Sequence, residues 1–169
     1  MAMIPQTLFG QNMSIGGVSF QGDVPSFTLP KLKIKTEAAR FGGTDGEIDM
    51  DQGVEKLECS FTTTGVRKEG LVLFGLADQN AFSATFRGGF KGVGGAVTPV
   101  VTTVRGMLTE LDPGDWKAGD KAEFKFAASL TYFKLEVAGE VIYEIDILGY
   151  KRIINGVDQL AEMAAALGI

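Results

Sequence analysis

Between Ala122 and Tyr132 the sequence alternates without a break. Ala122, Phe124, Phe126, Ala128, Leu130 and Tyr132 fall on one side, and Glu123, Lys125, Ala127, Ser129 and Thr131 on the other. Period two belongs to an extended chain with one buried face; a helix would scatter these phenylalanines around its circumference. At Phe133 the phase slips by one, and Phe133, Leu135 and Val137 continue the apolar side on odd positions. One inserted residue has this effect, so a β-bulge is predicted near Tyr132-Phe133. A strand with one apolar face needs partners, and the sequence supplies them. Phe82, Ala84 and Phe86 alternate with Ser83, Thr85 and Arg87, while Val97 to Leu111 is rich in Val and Thr, with Pro99 placing its start at an edge or bulge. Ala138-Gly139 turns the chain into Val141 to Ile147 and completes a hairpin. The expected fold is mostly β: two packed antiparallel sheets forming a barrel-like body, with one or two short α-helices.

The other elements are shorter. Leu8 to Gly10 and Met13 to Phe20 read as strands around a tight turn at Gly16-Gly17. Pro25 and Pro30 bracket Ser26 to Leu29 and keep it extended or at a sheet edge. In Val66 to Leu76 the period changes, and Leu71, Phe74 and Val72 can share one side of a short helix ended by Gly75. The glycine cluster from Gly88 to Gly95 lacks the spacing of a phosphate loop or of a dinucleotide fingerprint and reads as a hairpin or bulge. Asp112-Pro113-Gly114-Asp115 is turn chemistry, followed by a loop that carries Trp116 and closes at Gly119-Asp120. Near the end, Asn155 can cap a helix with Leu160, Met163, Ala164 and Leu167 on one face and Gly168 past its last turn. Such a helix needs an apolar surface to lie on.

One connection is too long for its place. Leu32 and Ile34 alternate with Lys31, Lys33 and Lys35 on one amphipathic strand; Leu57, Cys59 and Phe61 alternate with Lys56, Glu58, Ser60 and Thr62 on the next. Between them lies an acidic excursion with Gly42, Gly43, Gly46 and Gly53, in which Ile48 and Met50 alternate with Glu47, Asp49 and Asp51. Connections of this length inside a compact domain are usually functional or disordered. The alternation favours a paired arm; eight or nine residues a side reach roughly 25–30 Å at about 3.3 Å per residue. A long protruding hairpin arm of this kind is a device for touching another molecule.

Composition narrows the function classes. The 169 residues, 45% of them hydrophobic, make a single domain spanning 1–169. A net charge of −5 with scattered cations argues against a nucleic-acid reader, which wants a basic face. The absence of histidine removes Ser-His-Asp and Cys-His catalysis and every histidine-ligated metal site. The lone cysteine, Cys59, is in phase with Leu57 and Phe61 and reads as a core thiol. The opening residues lack the charged and apolar segments of a secretory signal, and no apolar run approaches the ~18 residues of a membrane span, so a cytoplasmic origin with no export route of its own is expected. Glu47, Asp49, Asp51 and Glu58 imitate the spacing of a calcium loop, but Gln52 stands where such a loop needs glycine. Alternation along an arm explains the same acids, and no metal or other cofactor is expected. No catalytic residues emerge, and the chain is not read as an enzyme. The competing reading is a monomeric ligand- or calcium-binding β-sandwich.

The segments IPQTLFGQNM, DVPSFTLPKLKIKTEAARFGG and IDMDQGVEKLECSFT resemble the major tail tube proteins of contractile-tailed bacteriophages. LFGLADQNAFSATFRGGFKG, LDPGDWKAGDKAEFKF, YFKLEVAGEVIYEID and INGVDQL continue the likeness over nearly the whole chain, which is especially similar to the tube subunit of R-type pyocins. The stretch TDGEIDMDQG departs from the family's form, so the arm's tip can differ in shape. The resemblance implies a barrel-like tail-tube fold and a structural role. Six subunits would form a ring, and rings would stack into a hollow tube driven through a cell envelope by sheath contraction. It implies partners in the sheath, baseplate and tape-measure proteins, with DNA passing through the lumen in a phage and no stable nucleic-acid binding. It also implies a place in a virion tail or pyocin particle assembled in the bacterial cytoplasm. The arm residues Arg40, Gly43, Asp45, Glu47, Ile48, Asp49, Met50 and Asp51 would make contacts between subunits and rings. A lumen that passes a polyanion wants acids and small polar groups. Ser83, Thr85, Glu123, Ser129, Thr131 and Glu136, turned away from the core, are the candidates.

Overall fold

A computed structural model describes residues 4–169. In chain order its elements are β1 (Thr7–Ile15), β2 (Val18–Ser19), β3 (Ser26–Thr28), β4 (Ile34–Ala39), β5 (Ile48–Val54), β6 (Leu57–Thr63) and α1 (Lys68–Leu71). There follow β7 (Phe82–Lys91), β8 (Val97–Asp112), β9 (Phe124–Val137), β10 (Glu140–Asp146), β11 (Lys151–Ile154), β12 (Val157–Asp158) and α2 (Ala161–Leu167). The strand with the clearest alternation, β9, is the hub. Along one edge it pairs with β8; along the other it pairs with β6 through Leu57 opposite Leu130 and with β10 through Tyr143 opposite Leu135. The sheet therefore forks at the middle of β9, where the slip of phase was read.

Ten strands join in one antiparallel sheet, in the order β12-β11-β10-β9-β8-β7-β1-β2 with β6 and β3 branching from β9. This corrects the expectation of two packed sheets forming a barrel. A single sheet coils instead, carrying β6 and β3 over β7. Phe61 meets Phe82 at 5.8 Å and Phe126 at 4.7 Å between ring centroids, and Phe27 meets Phe86 at 4.7 Å. No backbone ladder closes the seam between β3 and β1. A side chain spans it: the Gln11 amide on β1 donates to the carbonyls of Val24 (3.0 Å) and Pro25 (2.8 Å) just before β3. Most of the residues read as inward from alternation are in the core, with Leu57, Cys59, Phe61, Phe82, Ala84, Phe86, Phe124, Phe126, Ala128, Leu130 and Phe133 all inside; Tyr132 is the exception, because the extra residue comes just before it and turns it to the opposite face. Burial pushes the Cys59 thiol up to about 12, so it is an inert packing group.

Two bulges shape the long β8–β9 ladder. Arg105 lies opposite Tyr132 but Gly106 lies opposite Leu130, so Thr131 is the extra residue, one position before the predicted site. Gly106 makes this possible, since a Cβ there would stand 2.0 Å from the Ser129 carbonyl oxygen. A second extra residue, Thr109, sits on β8 between Leu108 and Glu110. Pro99 lies opposite Gly89 on β7 in the opening residues of β8, which the β9 ladder does not reach, so the start of the strand is at an edge as expected.

Other departures are local. The Asn155-Gly156 pair, at φ 49° and 81°, makes the turn between β11 and β12 instead of capping a helix. α2 starts later, its first turn served by Asp158, whose Oδ1 accepts from the Leu160 N–H at 3.0 Å. It buries none of its residues, and Met163 and Leu167 are exposed, so the apolar surface expected beneath it is missing within the subunit. α1 is one turn only, with Phe74 outside it and exposed. Leu32 lies outside any strand and Ile34 begins β4, which leaves the main sheet altogether.

Candidate assembly surfaces

β4 and β5 form a separate two-stranded sheet. Glu37 stands opposite Met50 and Ala39 opposite Ile48, while Thr36 stands opposite Asp51 and Ala38 opposite Asp49. Opposed residues share a face, so the hairpin carries one face with Ile48 and Met50 and one with the acids, the division read from the sequence. The apolar face is bare: Ile48 is 52% exposed and Met50 41%, with Phe41 in the connecting loop at 50%. Arg40, Gly43, Asp45 and Glu47 lie in that loop, where the Thr44 hydroxyl donates to the Phe41 carbonyl at 2.8 Å and Gly43 takes φ 90°. The arm candidates thus come together on one hairpin.

The base of the hairpin is built differently. Between Ile34–Val54 and Thr36–Asp51 the register slips, leaving Gln52 and Gly53 opposite Lys35 alone. Gly53 adopts φ 101° and donates its N–H to Asp51 Oδ1 at 2.7 Å. The same carboxylate takes both terminal nitrogens of Arg152 on β11, Nη2 to Oδ2 at 2.6 Å and Nη1 to Oδ1 at 3.4 Å. The Arg152 guanidinium, and after it the Gly53 N–H, hold the Asp51 carboxyl below its ordinary range. The Arg152 side chain is 11% exposed against 47% for Asp51. A cleft of about 560 Å³ opens beside the pair, floored by Val54, Ile145, Leu160 and Met163. Sequence reading found Asp51 but missed Arg152, because its partner lies 101 residues away.

The proposed lumen residues fall on the side of the sheet away from the core, though not as one cluster. Ser83 and Thr85 lie on β7 opposite Arg105 and Thr103 of β8, which in turn face Tyr132 and Lys134 of β9. Glu136 pairs with Lys134 at 3.1 Å. Ser129 lies further along, between Met107 and Glu58; Thr131 is the bulge residue, its carbonyl accepting from the Ile147 N–H at 2.9 Å. Glu123 precedes β9 and is outside the ladder. This face is not simply acidic. Arg105 stacks on the Tyr132 ring at 4.1 Å, and the Tyr132 hydroxyl donates to Glu144 at 3.0 Å. Burial, then the bonded Glu144 carboxylate, push that phenol up to about 12. Each of these cations is engaged by a neighbour on the same face.

Among the described residues no three acidic or thiol side chains converge as a metal site would require. The acids from Glu47 to Glu58 are split between the hairpin and β6, where Glu58 pairs with Lys56 at 2.7 Å.

The family model of phage tail tube protein FII matches residues 5–168. The chain belongs to the phage tail tube family. The tail tube protein of Escherichia phage P2 is 31% identical over 173 residues, covering all of both chains. The major tail tube protein of Serratia phage KSP20 is 35% identical over 153 residues, 88% of each chain. Among solved structures, a chain of the PVC extracellular contractile injection system sheath–tube complex superposes with a TM-score of 0.59 at 12% identity, over 78% of this chain and 91% of that one. A chain of the anti-feeding prophage cap superposes with a TM-score of 0.62 at 13% identity, over 82% and 95%. At such identities the likeness is one of fold. Tail tube proteins are structural.

Proposed function

We propose that this tail tube subunit assembles into homohexameric rings that stack as a hollow tube inside a contractile sheath, with the β4–β5 hairpin protruding as the arm that bridges subunits and rings. One observation carries the reading. The hairpin keeps Phe41, Ile48 and Met50 exposed while its strands pair only with each other, an arrangement that gains little within the subunit. Arg40, Gly43, Asp45, Glu47, Ile48, Asp49, Met50 and Asp51 make those contacts. The unclosed sheet supports ring formation as well: among the described residues β1 has no strand partner beyond β7 over Thr7 to Met13, and an open edge can pair with another chain. Sheath, baseplate and tape-measure proteins are the further partners, and DNA or ions pass through the bore.

The bore is lined by Ser83, Thr85, Glu123, Ser129, Thr131 and Glu136. On this face Arg105 is engaged by the Tyr132 ring and Lys134 by Glu136, which lowers what those two cations offer to phosphates. Deleting Gly43 to Asp49 tests the arm: circular dichroism of a folded β protein is expected, with electron microscopy finding no long tubes. Tubes of normal length would end the proposal. For the bore, Glu123→Lys with Glu136→Lys is expected to leave rings intact and to raise DNA retention or alter ion conductance. Carboxylates facing the sheath in a map of the tube would refute that assignment.

A further inference from the structure

Very little ties the hairpin to the rest of the chain. Val54 packs against the core at its base. Beyond that, among the described residues the side-chain hydrogen bonds joining β4 or β5 to another element are those from Arg152 to Asp51. The site is a natural pivot: the bulge at Gln52-Gly53 interrupts the ladder, and from there β5 runs on through Asp51 to Ile48, roughly 13 Å, before the loop at the tip. A small rotation at such a base becomes a large displacement at the far end.

We propose that Arg152 is a positioning residue, whose ion pair with Asp51 sets the angle at which the hairpin leaves the sheet. The free subunit then presents its arm already aimed, which lowers the ordering cost of the next contact; this consequence rests on the reading of the hairpin as the assembly arm. Arg152 is suited to the task because it is itself held. Its backbone N–H donates to Asp158 Oδ1 at 3.2 Å, β11 is paired on both sides by β10 and β12, and its side chain is nearly buried. The guanidinium is a fixed post, and the planar fork takes the carboxylate through two nitrogens, which constrains direction as well as distance. A competing acid in the cleft, Asp146, is engaged by the Gly149 N–H at 2.8 Å.

The test separates this role from assembly itself. Spin labels on Asp45→Cys in the loop and Lys125→Cys on β9 report the hairpin's angle as a distance distribution, while Cys59, 3% exposed, stays unlabelled. A narrow distribution is expected for the parent, a broad or shifted one for Arg152→Gln and for Asp51→Asn, partial recovery with Arg152→Lys, and recovery in the charge swap Asp51→Arg with Arg152→Asp. Asp51→Asn lies on the exposed hairpin and leaves the core untouched, so a folding defect cannot imitate the result. A distribution unchanged in Asp51→Asn and Arg152→Gln overturns the proposal. If the distribution broadens and tube growth slows severalfold, both the positioning role and the arm reading stand. If it broadens while tubes grow at the parent rate, the positioning role stands and the arm reading falls.

Discussion

Two regions of this subunit contain extended chain of similar amphipathic pattern and have opposite fates. In the coiled sheet around β9 the inward apolar faces meet one another: Phe61 lies between Phe82, Phe86 and Phe126, and β9 is paired along both edges. In the β4–β5 hairpin the same alternation puts Ile48 and Met50 on a face that stays about half exposed. Period two states only that one side of a strand is apolar. Which surface covers it, the chain's own or another's, is decided by the number of neighbours within reach. The sheet holds the buried core, while the hairpin keeps its apolar side chains partly in solvent.

The sharpest way to break this contrast is at Gly106. A Cβ there would stand 2.0 Å from the Ser129 oxygen and 2.8 Å from the Leu130 Cα, both backbone, so the β8–β9 ladder must part. Gly106→Ala is expected to cost on the order of 4 kcal/mol or to leave no folded protein, as measured by urea denaturation. Phe61→Ala removes the centre of the aromatic stack and is expected to cost about 3–5 kcal/mol. Leu160, half-buried beside the cleft, is intermediate: Leu160→Ala should cost about 1–2 kcal/mol, below the usual range for a buried leucine, in a thermal melt. Ile48→Ser with Met50→Ser, on the exposed face, is expected to move stability by no more than about 0.5 kcal/mol while shortening tubes in electron micrographs. The contrast fails if this double variant melts with the core, or if Phe61→Ala is tolerated.

The weakest effect is electrostatic. Asp51 has its folded pKa lowered, so its contribution is fully present above its unfolded value and is lost as pH falls through the lower folded one. With Asp51 47% exposed, the pair is expected to contribute about 0.2–1 kcal/mol. Asp51→Asn should therefore flatten a small acid-side slope in stability and leave the neutral-pH melting temperature almost unchanged.

By itself the sequence determined the strands of the core and which of their residues face inward, apart from Tyr132 at the bulge. Alternation is a local property, and Phe82, Phe86, Phe124 and Phe126 had no other way to be buried together. It also determined the bulge in β9 to within one residue, since a slipped phase has to be absorbed near where it occurs. The turn at Ala138-Gly139 and the left-handed Gly168 that ends α2 follow from residue chemistry in the same way. Tertiary structure decided the rest. That β6 pairs with β3 rather than with the lysine-rich strand before the hairpin, and that the sheet coils without closing, depend on long-range pairing that no local period encodes. Asn155-Gly156 suits a helix cap or a hairpin turn equally well, and the choice fell to β11 and β12, whose pairing supplies the hydrogen bonds. Arg152 carried no signal of its own. An arginine acquires a role only when the fold sets a carboxylate against it, and the sheet that holds Arg152 and the hairpin that holds Asp51 meet only in the finished molecule.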